Sequence, residues 1–265
     1  ILLAAPITLA QVETHVSGLM FEDEVKWDRS AAAVAARRRA RLGALVLRES
    51  ALRNPDPGQV TAALIEGIRE AGMDVLPWTD AARGIQRRVE FVRGLEGGWP
   101  DLSDGALEAG LEDWLAPRIS GMWRLDQLDR LDLGQALQEQ LGWERGRKLE
   151  TIAPTHVTVP SGSRVPLDYR DPDAPVLAVR LQEVFGWTEA PRIGGGRVPV
   201  TLHLLSPASR PVQVTRDLAG FWRSTYFEVR KDLKGRYPRH HWPDDPLVAE
   251  PTRRAKPRGR PGNSG

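Results

Sequence analysis

The chain has 265 residues, 41% of them hydrophobic, with a formal net charge of only +2, so it can bury a core in one large domain or in two to three small ones. Cysteine is absent, which excludes disulfides, thiol nucleophiles, iron–sulfur clusters and cysteine-based zinc sites and agrees with a reducing compartment, the cytoplasm by default. The opening ILLAAPITLAQVE is apolar over only about ten residues and has no basic start, so it is neither a membrane span nor a secretion signal, and no membrane partner is expected. It begins on Ile1 inside what reads as a strand, which points to a missing upstream portion.

The charge is unevenly placed. Residues 221–265 hold eleven Arg and Lys against five Asp and Glu, a net +6, which leaves −4 for residues 1–220. Of the 37 basic residues only five are Lys. The arginines, beside nine Trp, fit guanidinium forks on phosphate and stacking on bases, although GC-rich codon usage also raises arginine.

Residues 1–54 contain short apolar runs, ILLAAPITL, EVKWD and RLGALVLRES, which read as strands. The intervening AAAVAARRRAR consists of strong helix formers, and propensity by itself makes it a helix. NPDPG, from Asn54 to Gly58, is a dense turn signal and a boundary. Over 55–153 the spacing turns helical. In QVTAALIEGIREAGM, Val60, Ala63, Leu64, Ile68 and Ala71 recur at three- and four-residue intervals, with Asp56 as cap and Pro57 as first residue. TDAARGIQRRVEFVRGL, SDGALEAGLEDWLAPRI and LDQLDRLDLGQALQEQLGWERGRKLETI complete a helical domain of four helices, with Thr79 and Ser103 as caps and Gly97-Gly98-Trp99-Pro100 as a break. Trp78, Trp99, Trp114, Trp123 and Trp143 read as core or interhelix packing.

Residues 154–248 are richer in strands: THVTVP, SGSRVPLDY with a tight turn at Ser161-Gly162, RVPVTLHLLSP and PVQVTRD. VLAVRLQEVFGW has helical periodicity, and DLAGFWRSTYFEVRKDLKG reads as one closing amphipathic helix, capped at Asp217 and ended at Gly235. Residues 249–265 are proline-rich, polar and basic, and read as a disordered tail.

The chain lacks the motifs of nucleotide hydrolysis. No GxxxxGK[ST] occurs, no GxGxxG opens a helix, and Gly194-Gly195-Gly196-Arg197 reads as a hairpin turn. Ser161 or Ser163 with His156 and Asp168 are the residue types of a serine hydrolase, but no GxSxG elbow surrounds them and a turn explains both serines. His240, His241, Asp244 and Asp245 are metal-ligand types, yet neighbouring histidines on an extended segment point to opposite sides. The rival reading makes Trp242 an anchor and Pro243 a stiffener, with Tyr237, Arg239 and His240 facing phosphate or base. A third makes the same run an arm that only closes its domain.

Five collinear blocks carry a resemblance: RRRARLGALVL (37–47), DVLPWTDAARGIQRRVEF (74–91), PSGSRVPLDY (160–169), PVLAVRLQEVFGW (175–187) and PVTLHLLSPASRPVQVTRDLAGFWRSTYFEVRKDLKGRYPRHHWPDDP (199–246). Together they resemble the C-terminal half of the HrpB family of bacterial, DEAH-box-type, ATP-dependent RNA helicases. The resemblance implies RecA-like motor domains upstream that use ATP and Mg2+, with no cofactor or metal and no catalytic residue on this chain. It implies that 1–54 is the end of an OB-like β domain, hence strand rather than helix over 31–47, with an unpaired edge. The fold class expected is α+β: a partial OB-like β segment, a central helical domain and a C-terminal mixed α/β domain with antiparallel strands. The expected role is accessory: contacts to single-stranded RNA or DNA and to the motor domains, the alternative being a protein-interaction module without RNA contact. Arg164, Arg197, Arg210, Arg216, Arg223, Lys234, Arg236, Tyr237, Arg239 and His240 are the candidate nucleic-acid contacts.

Overall fold

The computed structural model describes residues 6–15 and 17–253. The strand expected over ILLAA and the tail expected beyond Arg253 lie outside them. In chain order the elements are α1 (Leu9–His15), β1 (Leu19–Asp28), β2 (Ala33–Leu42), β3 (Leu45–Ala51), α2 (Pro57–Ala71), α3 (Asp80–Leu95), α4 (Asp104–Ala109), α5 (Leu111–Trp114) and α6 (Leu133–Ile152). They continue as β4 (His156–Thr158), β5 (Arg164–Asp168), β6 (Val176–Arg180), β7 (Arg192–Ile193), β8 (Val198–Pro199), β9 (Thr201–Leu205), β10 (Pro211–Thr215), α7 (Leu218–Arg223) and α8 (Tyr226–Arg236). The fold is mixed α and β with antiparallel sheets, as expected. It divides into two compact units, Ile1–Ala82 with Ser103–Ala136, and Arg83–Leu102 with Leu137–Gly265.

The first unit contains the antiparallel meander β1-β2-β3. Propensity loses at β2 because its register sets Arg37, Arg38 and Arg39 opposite Glu24, Asp23 and Glu22, with Glu49 of β3 across from Arg39 on the other side. Arg38 grips Asp23 through two bonds of 2.6 and 2.7 Å, Arg39 reaches Glu24 and Glu49, and Arg41 reaches Glu22. As a helix, β2 would forfeit these cross-strand pairs and the burial of Val34 and Ala40. The first part of ILLAAPITL that is described is not a strand. Thr8 and Gln11 exchange side-chain bonds with each other's backbone N–H at 2.8 and 3.3 Å, a capping box that starts α1.

α2 forms where its spacing requires, with Asp56 Oδ1 accepting the Gln59 N–H at 2.9 Å and Pro57 at the first position. It buries Val60, Ala63, Leu64, Ile65 and Ile68. Gly67 is needed on that face, since a Cβ there would stand 2.4 Å from the Trp27 ring of β1. Ser103 caps α4 as its sequence suggests. The two long helices expected after it are interrupted. Gly110 separates α4 from α5, Pro117 sits in a 3-10 turn, and Leu125–Arg130 is 3-10 throughout. Gly142, at φ 71°, breaks α6 into two helices. Trp114 is buried as expected, but the break leaves Trp143 73% exposed, so its packing role is corrected.

The second unit contains a five-stranded sheet, ordered β10-β9-β6-β5-β4. Its pairs are antiparallel except β6–β9, which are parallel. VLAVRLQEVFGW is therefore strand β6 followed by a single 3-10 turn, not a helix. A short apolar run in a central strand cannot be told from a buried helix by periodicity. The closing helix is two helices. Asp217 caps α7 through the Gly220 N–H at 2.8 Å, the backbone leaves helical geometry at Ser224 (φ −123°, ψ −78°), whose hydroxyl donates to the Gly220 carbonyl at 2.8 Å, and α8 follows. The break lets Tyr226 sink into a cluster with Phe185, Phe221 and Trp222, ring centroids 5.3–6.3 Å away. The Gly194–Gly196 turn joins β7 to β8 as expected.

Candidate nucleic-acid interface

The run from Tyr237 to Pro246 leaves α8 and is fastened from beneath. The Trp242 indole N–H donates to the Tyr237 carbonyl at 2.9 Å, Tyr226 donates to the Pro243 carbonyl at 2.8 Å, and Arg230 donates to the Trp242 carbonyl at 3.2 Å. Trp242 is buried. It is an anchor, as its proline-flanked setting suggests, and the segment before it is held outward. There Arg236, Tyr237, Pro238, Arg239 and His240 line a shallow cavity of about 320 Å³. The Tyr237 and His240 rings meet edge to face, 6.1 Å apart at 89°.

His241 goes the opposite way, its ring edge-on to Phe185 at 6.2 Å. Asp244 pairs with Arg230, and Asp245 accepts the Leu247 N–H at 2.9 Å. The four metal-ligand types of this run are thus dispersed, and no group of three or more such residues stands together among the described residues. The serine candidates are similarly accounted for. Ser161 donates to buried Glu183 at 2.8 Å and Ser163 donates to the same carboxylate, whereas His156 contacts Thr155 and Asp168 pairs with Arg170. No hydrolytic triad forms from these four residues.

Sequence reasoning missed Arg180. It ends β6 and donates to Ser209 Oγ at 3.5 Å in the turn between β9 and β10. Burial, then the positive charges of Arg180 and Arg239, push the His240 pKa below the usual imidazole value. The signal was present as the arginine closing an apolar strand, but reading VLAVR as helix hid the face on which it emerges.

The sequence candidates fall into two groups. Three have their charge or donors taken up within the fold: Arg197 donates to the Gly194 and Leu95 carbonyls at 2.6 and 3.1 Å and pairs with Glu96, Arg216 donates to Thr201 at 2.8 Å, and Arg236 pairs with Asp232 at 3.1 Å. Arg164 on β5, Arg210 after the Ser209 turn, Arg223 on α7, Lys234 on α8 and Arg239 on the arm are exposed and make no ion pair among the described residues. Arg236, Tyr237, Arg239 and His240 are brought together around one shallow cavity.

Two family profiles match the chain. One is described as the ATP-dependent helicase C-terminal region and covers residues 114–246. The other is the connector region of the ATP-dependent RNA helicase HrpB and covers residues 22–52. The ATP-dependent RNA helicase HrpB of Escherichia coli (strain K12) is 44% identical over 236 residues, which is 88% of this chain and 29% of that protein. The crystal structure of the E. coli DExH-box NTPase HrpB superposes with a TM-score of 0.74 and 42% identity over 93% of this chain and 31% of that one. A crystal structure of the Escherichia coli DEAH/RHA helicase HrpB gives 0.64 and 40% over 85% and 29%. The chain spans less than a third of the length of these relatives.

Proposed function

Since the chain belongs to the HrpB family of ATP-dependent helicases, as part of their C-terminal region, we propose that it contacts single-stranded nucleic acid, RNA first, through the second unit. The observation that supports this most is the set of exposed cations without acidic partners, Arg164, Arg210, Arg223, Lys234 and Arg239, together with the Tyr237–His240 cavity. A helicase must hold a strand of any sequence while it is moved. Guanidinium on phosphate and aromatic ring on base supply such sequence-tolerant contacts. In this reading ATP and Mg2+ act in the RecA-like motor domains of the whole helicase, which this region contacts, and no residue here is catalytic.

Titration with single-stranded RNA at several salt concentrations tests it. The expected result is an affinity that falls steeply and linearly in log–log form as salt rises, since each phosphate contact releases condensed counterions. An affinity absent at low salt, or flat with salt, overturns it. The rival is a protein-docking module, favoured by exposed Phe227 (49%), Leu247 (42%) and Val248 (81%). Flat RNA binding together with salt-insensitive association with the motor domains would establish that rival.

A further inference from the structure

We propose that Trp143 and Arg147, on the outward face of α6 after its break, form a stacking platform for one unpaired base and the phosphate beside it. The proposal deepens the nucleic-acid reading and rests on it for the source of the base. Gly142, at φ 71° and ψ 163°, interrupts α6, and the helical stretch that follows buries Leu149 and Ile152. Trp143 and Arg147 stand four residues apart in that stretch, so they are neighbours on one face of it. The Arg147 guanidinium carbon lies 4.7 Å from the centre of the Trp143 ring, yet Trp143 is 73% exposed. The guanidinium covers only part of the ring, and the remainder lies open to a second flat group.

Apart from this contact, the polar groups of both side chains are left unused by the fold. The indole N–H groups of Trp78, Trp99, Trp114, Trp222 and Trp242 all donate to the protein. That of Trp143 makes no hydrogen bond among the described residues, and the Arg147 guanidinium has neither a hydrogen bond nor an acidic partner there. The next residue supplies the contrast. Lys148 lies 5.8 Å from the Trp99 ring, but Glu96 pairs with that lysine and accepts the Trp99 indole N–H at 2.9 Å. A carboxylate closes that pair, whereas the Trp143–Arg147 pair is open. A guanidinium over a ring keeps its N–H donors for a phosphate, while the ring supplies a π-face on which any base can stack. A protein partner needs contiguous apolar area instead. Around Trp143 the exposed residues are Glu144, Arg145, Arg147 and Lys148, and no other large apolar side chain of residues 137–153 is exposed.

The 265-residue chain is titrated with a short, adenine-rich single-stranded RNA and with a strand of the same length whose riboses carry no bases. Trp143→Ala is expected to weaken RNA binding about fivefold to a hundredfold, the worth of one stacked base. It should leave the salt slope and the affinity for the abasic strand unchanged, since stacking releases no counterions. Trp143→Phe keeps most of the RNA affinity, because its ring still stacks, but loses part of the tryptophan quenching that RNA causes in the parent. Arg147→Gln lowers the salt slope by about 0.7, one phosphate contact on a single strand. Both side chains are exposed, so each variant should keep the parent's denaturation midpoint. A midpoint that falls in Trp143→Ala assigns the ring to packing and overturns the platform. RNA bound equally by the parent and by Trp143→Ala also overturns it and leaves the nucleic-acid reading standing, and so does an equal loss for RNA and for the abasic strand. No RNA bound by the parent at any salt overturns the reading and the platform together.

Discussion

Two arginine-rich segments of this molecule end in opposite electrostatic states. On β2, Arg37, Arg38, Arg39 and Arg41 each meet an acid across the sheet, from Glu22, Asp23, Glu24, Asp28 or Glu49. In the second unit, Arg180, Arg210 and Arg239 meet none among the described residues. Both segments are secured by a tryptophan, Trp27 over Gly67 in one and buried Trp242 in the other. Arginine density therefore does not locate a nucleic-acid surface. Under the proposed function the arginines to test are those without a carboxylate in reach, since a paired guanidinium has little field left to offer a phosphate.

The comparison breaks first at its anchors. Trp242→Ala should destabilise the second unit by about 3–5 kcal/mol, as loss of a buried aromatic does, and should abolish RNA binding, read by chemical denaturation and titration side by side. A stable variant that still binds RNA would separate the arm from the interface. Gly67→Ala should destabilise the first unit by about 1–3 kcal/mol through overpacking against Trp27, without changing RNA affinity measured where the protein is folded.

Acid sharpens the contrast. The Asp23 carboxyl lies below its usual range because Arg38 hydrogen-bonds it, Glu49 because Arg39 does, and Asp28 chiefly because Ser30 does. Depressed carboxylate values give stability that is whole above the unfolded-state values and lost as pH falls through the folded-state ones. The β1-β2-β3 amides should therefore lose hydrogen-exchange protection below about pH 4, more in low salt than the second unit's Phe185–Trp222–Tyr226 cluster, whose contacts do not depend on ionised acids. Equal loss in both would remove the ion pairs from the account. The smallest effect is the most discriminating: Arg239→Gln should lower the salt slope of RNA binding by about 0.7, one phosphate contact on a single strand, whereas Arg37→Gln should leave it unchanged.

Much of the fold was legible. Asp56-Pro57 marked the start of α2, Ser103 the start of α4, Asp217 the start of α7, and the serine and glycine turns fell between strands. These are short-range effects, decided by side chains that bond their own backbone within a few residues. The errors share a different cause. VLAVR pairs with strands distant in sequence, and the breaks at Ser224 and Gly142 alter which aromatic is buried, Tyr226, and which is exposed, Trp143.

By itself the sequence determined the α+β class, the caps, the turns, the anchoring role of Trp242 and, through its collinear blocks, the helicase family. Only the tertiary structure decided which arginines have acidic partners and that Arg180 closes a central strand rather than lying on a helix. Charge pairing depends on distances between residues far apart in the chain, set by sheet register and by strand order, and composition carries neither.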